Sequence, residues 1–142
     1  GYSYAHAIIG EVLLQKGDAG AALAEIQQEA DEQLRLGVLP MAYQALGDMP
    51  RSDAALADLV KKYEKTAACD IATVLAYRGE SDRAFEWLDK AIQHHDPTLG
   101  SIAVNALFAN THSDPRWLPL LRRLGMAPEQ LAAIKFDVRL PN

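Results

Sequence analysis

Two stretches of the chain repeat one another at a fixed distance, and few folds accommodate that. Between Ile71 and Ile92 the sequence IATVLAYRGESDRAFEWLDKAI sets Ala72, Leu75, Gly79, Ala84, Leu88 and Ala91 at helical spacings around one glycine. Sixty-two residues earlier the same positions hold Gly10, Leu13, Gly17, Ala22, Ile26 and Glu29. Small residues recur at the first and fourth positions, where two helices of a hairpin must approach closely. Large aliphatics recur at the second and fifth. Glycine stands at the third, where a helix end commonly needs a residue at φ > 0. A weaker middle copy reads Tyr43, Leu46, Pro50, Ala55, Leu59 and Lys62, 33 residues after the first and 29 before the last. Such a pattern predicts an array of helical hairpins rather than a sheet.

Helix boundaries follow from apolar periodicity and from caps. A first helix is expected over 3–16 and a second over 19–36, closed by Gly37. A third, over 40–48, would start at Pro40 and end at Met49-Pro50. Ser52 would cap a fourth helix with Ala55, Leu56, Leu59, Val60 and Tyr63 facing inward. Thr66 would cap a fifth over 67–78. Ser81 or Asp82 would cap a sixth running to His94, with Trp87 off its buried stripe. Asp96-Pro97 and Asp114-Pro115 restart helices, the first over 97–109 with a break near Asn105. The second carries Trp117, Leu120, Leu121 and Leu124 and ends at Gly125. A last short helix from Ala127 to Lys135 and the tail, with Phe136 and Val138, complete a cap over the final repeat. Glu25, Glu29, Asp31, Glu32 and Arg35 are expected on a solvated face.

The spacing resembles the tetratricopeptide repeat, a helix-turn-helix unit of about 34 residues. The phrases AYRGESDRAFEWLDKA, HDP at 95–97 and SDPRWLPLLRRLGM at 113–126 are similar to the C-terminal repeat regions of bacterial multidomain signalling proteins and transcriptional regulators. The resemblance implies an all-α, right-handed α-α superhelix of about eight or nine helices with a C-terminal capping helix. It implies one domain over 1–142: a repeat at 1–37, a degenerate one at 38–65, a third at 66–95, a degenerate fourth at 96–113 and a cap at 114–142. It also implies that the first helix of each hairpin lines a concave groove. By repeat register that groove would present Tyr4, Ala7, Glu11 and Gln15, then Gln44, then Cys69, Thr73 and Tyr77. The expected binding residues are Tyr4, Glu11, Gln15, Gln44, Thr73 and Tyr77. Relatives that hold a chaperone's C-terminal carboxylate use Lys and Asn in the groove. Here those places carry Ala7, Glu11, Met41, Thr66 and Asp70, which argues against that partner.

Composition narrows the function further. A net charge of −5 provides no basic face for nucleic acid. The single cysteine, Cys69, excludes an internal disulfide and has no CxxC partner, so a buried thiol is expected. No apolar run is long enough to span a membrane. His94, His95, Asp96 and His112 match no zinc spacing. No nucleophile elbow, phosphate loop or dinucleotide fingerprint occurs, so neither catalytic residue, metal nor cofactor is expected. The chain opens at Gly1 without methionine and enters helix at once, and is read as a piece of a longer protein. The expected function is a non-catalytic module that binds a protein or peptide partner through its groove, or self-associates. The alternative is a regulatory or sensory domain of a signalling protein, attached to a winged-helix, cyclase or kinase domain, that binds a small molecule or mediates oligomerisation. The cytoplasm is the expected compartment, with the periplasm as the alternative if a membrane span precedes Gly1.

Overall fold

The computed structural model describes residues 4–134. All regular structure among them is helical: α1 (Ala5–Gln15), α2 (Ala19–Ile26), α3 (Glu32–Ala45), α4 (Met49–Tyr63), α5 (Ala68–Tyr77), α6 (Ser81–Gln93), two 3₁₀ helices (Pro97–Ser101 and Ala106–Thr111), α7 (Trp117–Arg123) and α8 (Pro128–Ala132). Helices α1–α2, α3–α4 and α5–α6 pair as hairpins. The first helices α1, α3 and α5 pack side by side, α2 sits between α1 and α3, and α4 sits between α3 and α5.

One turn, used three times, builds the hairpins. Gly17, Gly47 and Gly79 adopt φ of 82°, 78° and 77°. Each donates its N–H to the carbonyl three residues back, Leu14, Gln44 and Ala76, at 3.0 Å. The next residue, Asp18, Asp48 or Glu80, donates to Leu13, Tyr43 or Leu75 at 2.9 Å. These paired bonds satisfy the orphan carbonyls of the helix end with a residue in the left-handed region, which a side chain would strain. Asp18 and Asp48 then cap the second helices, accepting from the N–H of Ala21 and Arg51 at 3.1 Å.

These turns correct the expected register of the middle copy. Its glycine is Gly47, and Pro50 lies in the first turn of α4. The 62-residue offset therefore divides into steps of 30 and 32. With Gly47 aligned, the small positions are Ala22, Ser52 and Ala84, all fully buried. The following large positions are Ile26, Leu56 and Leu88, also buried. At the crossing of α1 and α2, a Cβ on Gly10 would stand 2.5 Å from Ile26 Cγ1, so any side chain there forces the buried Ile26 to move. Ala84 is fully buried where α6 meets α5. Ala84→Leu should overpack that crossing and cost about 1–2 kcal/mol, read as a fall in the urea midpoint. An unchanged midpoint would place Ala84 outside the hairpin interface.

Several boundaries differ from expectation, each for a tertiary reason. The helix expected over 19–36 ends at Ile26, and α3 starts at Glu32 with Asp31 capping Leu34 N at 3.0 Å. Gly37 and Pro40 therefore lie inside α3. A proline there removes a helical bond, and the buried Leu36, Val38, Met41 and Ala42 around it supply the offsetting packing. Ser52 is no cap: its buried hydroxyl donates to the Pro40 carbonyl at 2.8 Å, joining α4 to α3. Thr66 donates to the Gln33 side chain at 3.1 Å instead of capping α5. Glu80 occupies the α6 N-cap position without a side-chain cap bond. Trp87 is buried, with Lys90 Nζ 3.9 Å from its ring centroid. The helix expected over 97–109 is two 3₁₀ turns, the second capped by Asn105 through Leu107 N at 3.0 Å.

Glu29 departs furthest from expectation. It is 1 % exposed rather than solvated. Its carboxylate accepts from Ala7 N at 3.3 Å and Asp31 N at 3.1 Å, so the end of the first hairpin caps that hairpin's own first helix. At the far end of the array, Phe108, Trp117, Leu120 and Leu121 close the core. Helix α8 adds no buried residue, and Leu131 and Ile134 are 50 % and 52 % exposed. The expected contributions of Lys135, Phe136 and Val138 fall outside the described residues.

Candidate functional site

A groove runs between the first helices and the two 3₁₀ turns. Its deeper part, a cavity of about 140 Å³, is lined by Glu11 of α1, Gly37 of α3, and Cys69, Asp70 and Thr73 of α5, with the 3₁₀ segment closing it. A smaller adjoining cavity of about 80 Å³ carries Tyr4, Ala7, Ile8 and Leu34. Glu11 and Asp70 line both. Two larger hollows, of about 370 and 410 Å³, lie at the α5–α6 turn and beside α4. Most of their charged rims are already paired: Arg78 holds Asp53 at 2.6 Å and Glu80 at 2.8 Å, and Arg83 holds Glu80 at 3.0 Å.

The electrostatics of the groove are one-sided. No Lys or Arg lines it. Burial pushes the Asp70 carboxyl up to about 7, helped by the negative charges of Asp96 and Glu11. Burial also raises Glu11. Neither carboxylate has a hydrogen-bond or ion-pair partner among the described residues. Burial pushes the Cys69 thiol up to about 12, reinforced by Asp96 and Asp70, so it stays protonated and poorly nucleophilic. Beneath the groove, Asp96 is buried and accepts from Cys69 N at 3.1 Å. Thr73 turns its hydroxyl onto the Cys69 carbonyl at 2.8 Å.

Asp70 makes stability depend on pH. Its folded pKa lies above the ordinary carboxyl value of 3.8. Between these values the folded state holds more protons than the unfolded one, so stability falls as pH rises from about 4 to about 7. Asp70→Asn should flatten that slope and gain about 2 kcal/mol at pH 8 once access of water to the groove is allowed for. Denaturant titrations at pH 4, 6 and 8 check this, and parallel profiles for the two proteins would contradict it.

Of the residues expected to bind, the structure brings Tyr4, Glu11 and Thr73 to the groove wall, along with Ala7 and Cys69. Gln15 is exposed at the end of α1, outside the lining. Gln44 and Tyr77 are only partly buried and also lie outside it. The Tyr77 carbonyl accepts from Asn110 Nδ2 at 3.3 Å, which ties this end of α5 to the second 3₁₀ helix. Asp70, which the repeat register already puts at a groove place, lines the site, and Thr98, Ser101 and Asn105 join it without having been expected there. Asp70 follows Cys69 directly and shares the first turn of α5, a signal present in the sequence. The other three depend on where the 3₁₀ segment folds back, which periodicity does not encode.

No group of three His, Cys, Asp or Glu among the described residues is arranged to hold a metal ion. His112 stacks on Trp117, ring centroids 4.8 Å apart, and His95 closes the α6 turn at φ 53°. No described helix is long and apolar enough to cross a membrane. No family model matches the chain, and no curated protein or solved structure matches it.

Proposed function

We propose that the chain is a non-catalytic interaction module of the tetratricopeptide type, which takes a partner segment into its concave groove by a cationic group held at Glu11 and Asp70. The observation that carries this reading is the pair of carboxylates that line both cavities, with no Lys or Arg in either lining among the described residues. A lysine, arginine or terminal amine would supply the missing charge. Burial strengthens such a pairing, because the effective dielectric is lower than in water. Tyr4 and Ile8 at the mouth offer apolar surface to neighbouring partner residues.

The test is a panel of extended peptides in which one lysine or arginine is exchanged for norleucine, titrated by calorimetry. Binding is expected to need the cation, and to be lost in Glu11→Gln/Asp70→Asn. Affinity should rise between pH 5 and pH 8 as Asp70 loses its proton. Binding indifferent to the cation and to both carboxylates would reject the groove as the site. A second reading draws on the cavity's small size, about 140 Å³. A regulatory domain of a signalling protein could sense a small free amine there. Saturation by amines alone, without competition from peptides, would favour that reading.

A further inference from the structure

Gly37 stands where a helix gains nothing from glycine. It is buried inside α3 and is not among the glycines of positive φ. In such a place glycine destabilises a helix relative to alanine, through the backbone entropy it loses on folding. Packing does not demand it either. A Cβ built on Gly37 would meet Cβ and Cγ of Asp70 at 3.5 Å and Oδ2 at 3.6 Å, all ordinary contacts. Gly10 is the contrast, since a Cβ there would press on Ile26 at 2.5 Å. Alanine thus fits at position 37 without displacing a neighbour. The space its methyl group would fill lies open beside the Asp70 carboxyl group.

That space lies at the junction of the two groove cavities. Among the described residues, Glu11, Gly37 and Asp70 line both, so they form the neck between them. The two sides of the neck differ. On the outer side Tyr4, Ile8, Leu34 and Val38 offer apolar surface. On the inner side the lining includes Thr73, Thr98 and Ser101. Their hydroxyl protons are already committed, to Cys69 O at 2.8 Å, Asp96 Oδ1 at 2.6 Å and Thr98 O at 2.9 Å. Each hydroxyl therefore has lone pairs left for a donor and no proton for an acceptor. A ligand that fills both cavities needs an apolar stem and a cationic head rich in N–H groups. Lysine and arginine side chains are built that way, whereas a chain's terminal amine has no stem.

We propose that Gly37 is a specificity-determining residue of the groove: its missing side chain leaves a neck through which a lysine or arginine side chain of a partner segment passes, stem in the outer cavity and charged head in the inner one. The inference rests on the cationic-ligand reading above and adds that the site selects length as well as charge. The chain's net charge of −5 and the acidic neck favour a basic segment of another protein over a second copy of this chain.

Gly37→Ala tests this through two opposed effects. At pH 5, where Asp70 keeps its proton, its thermal midpoint should rise by about 3 °C. At pH 8 its affinity for a lysine-bearing peptide should fall about tenfold. A peptide series with that lysine exchanged for ornithine, diaminobutyrate or diaminopropionate keeps the charge and shortens the stem. The natural chain should bind the lysine peptide about tenfold more tightly than the diaminopropionate one, and Gly37→Ala should narrow that difference. A lower midpoint in Gly37→Ala would show that the methyl group does not fit, and overturns the proposal. Binding that needs the cation and both carboxylates but ignores stem length and Gly37→Ala also overturns it, while leaving the cationic-ligand reading in place. Binding that ignores the cation removes both. Sedimentation that finds a dimer lost in Gly37→Ala would make the occupant a second copy and overturns the proposal as well.

Discussion

Phe108→Ala should cost about 3–5 kcal/mol of unfolding free energy, the range for a large aromatic removed from a core that relaxes only in part. Phe108 is the largest fully buried side chain among the described residues. It projects from the second 3₁₀ helix, which packs directly on α5. Its ring lies 5.7 Å from that of Trp117, tilted by 31°, so one side chain joins α7 to the third hairpin. The segment holding it is short and poor in helical bonds. It is fixed by Asn105 capping Leu107 N and by the buried Thr111 hydroxyl, which donates to the Phe108 carbonyl at 2.6 Å. Without the ring, residues 106–123 lose their main attachment, and Phe108 also lines the groove. Urea unfolding followed by the fluorescence of the two buried tryptophans, Trp87 and Trp117, should show the lower midpoint. Leu131→Ala on α8, half exposed, should stay within about 0.5 kcal/mol. A loss below about 1 kcal/mol for Phe108→Ala would mean that the array is closed by other residues.

The sequence makes this closure only partly visible. Trp117, Leu120 and Leu121 repeat at helical spacing and are buried as expected. Phe108 sits in a stretch without helical period, because a 3₁₀ turn eclipses every third side chain and runs only a turn or two. The hairpins were legible because small residues and turn glycines are forced by close approach and by positive φ. In the middle hairpin Gly47 and Pro50 are competing turn signals three residues apart, and only the fold shows that the glycine takes the positive φ while the proline starts α4. The end of α2 was hidden by a stripe of apolar residues that continues through the link into α3. Glu29 looked solvent-facing because its charge is obvious in sequence, while the helix N-terminus that receives it lies 22 residues away. The same holds for the groove. Glu11 and Thr73 follow from the repeat register, whereas Thr98, Ser101 and Asn105 reach it only through the fold.

Asp96→Ala should cost about 3 kcal/mol, and it should also move the titration of a different residue. Asp96 follows the turn in which His95 takes a positive φ and Asp96 N donates to the Ala91 carbonyl at 2.9 Å. Asp96 is 8 % exposed, and its carboxylate is fully engaged. Oδ2 accepts from Cys69 N at 3.1 Å, and Oδ1 accepts from Thr98 N at 2.9 Å and Thr98 Oγ1 at 2.6 Å. One side chain thus ties the end of the third hairpin to the start of that hairpin's first helix, as Glu29 does in the first. Bonds to a charged acceptor contribute about 1.5–3 kcal/mol each, and removing the acceptor leaves the Cys69 N–H buried without a partner. Asp96→Asn keeps one carbonyl for Thr98 but turns a donor toward Cys69 N, so about half the loss should remain. The second readout separates this role from packing alone. The negative charge of Asp96 helps hold Asp70 near 7. In Asp96→Asn that charge is gone, and carbon-detected NMR should find the Asp70 midpoint at lower pH, with burial still keeping it above 3.8. The pH at which stability levels off should move down with it. An Asp70 midpoint that stays in place would show that the two carboxylates do not interact across the groove floor.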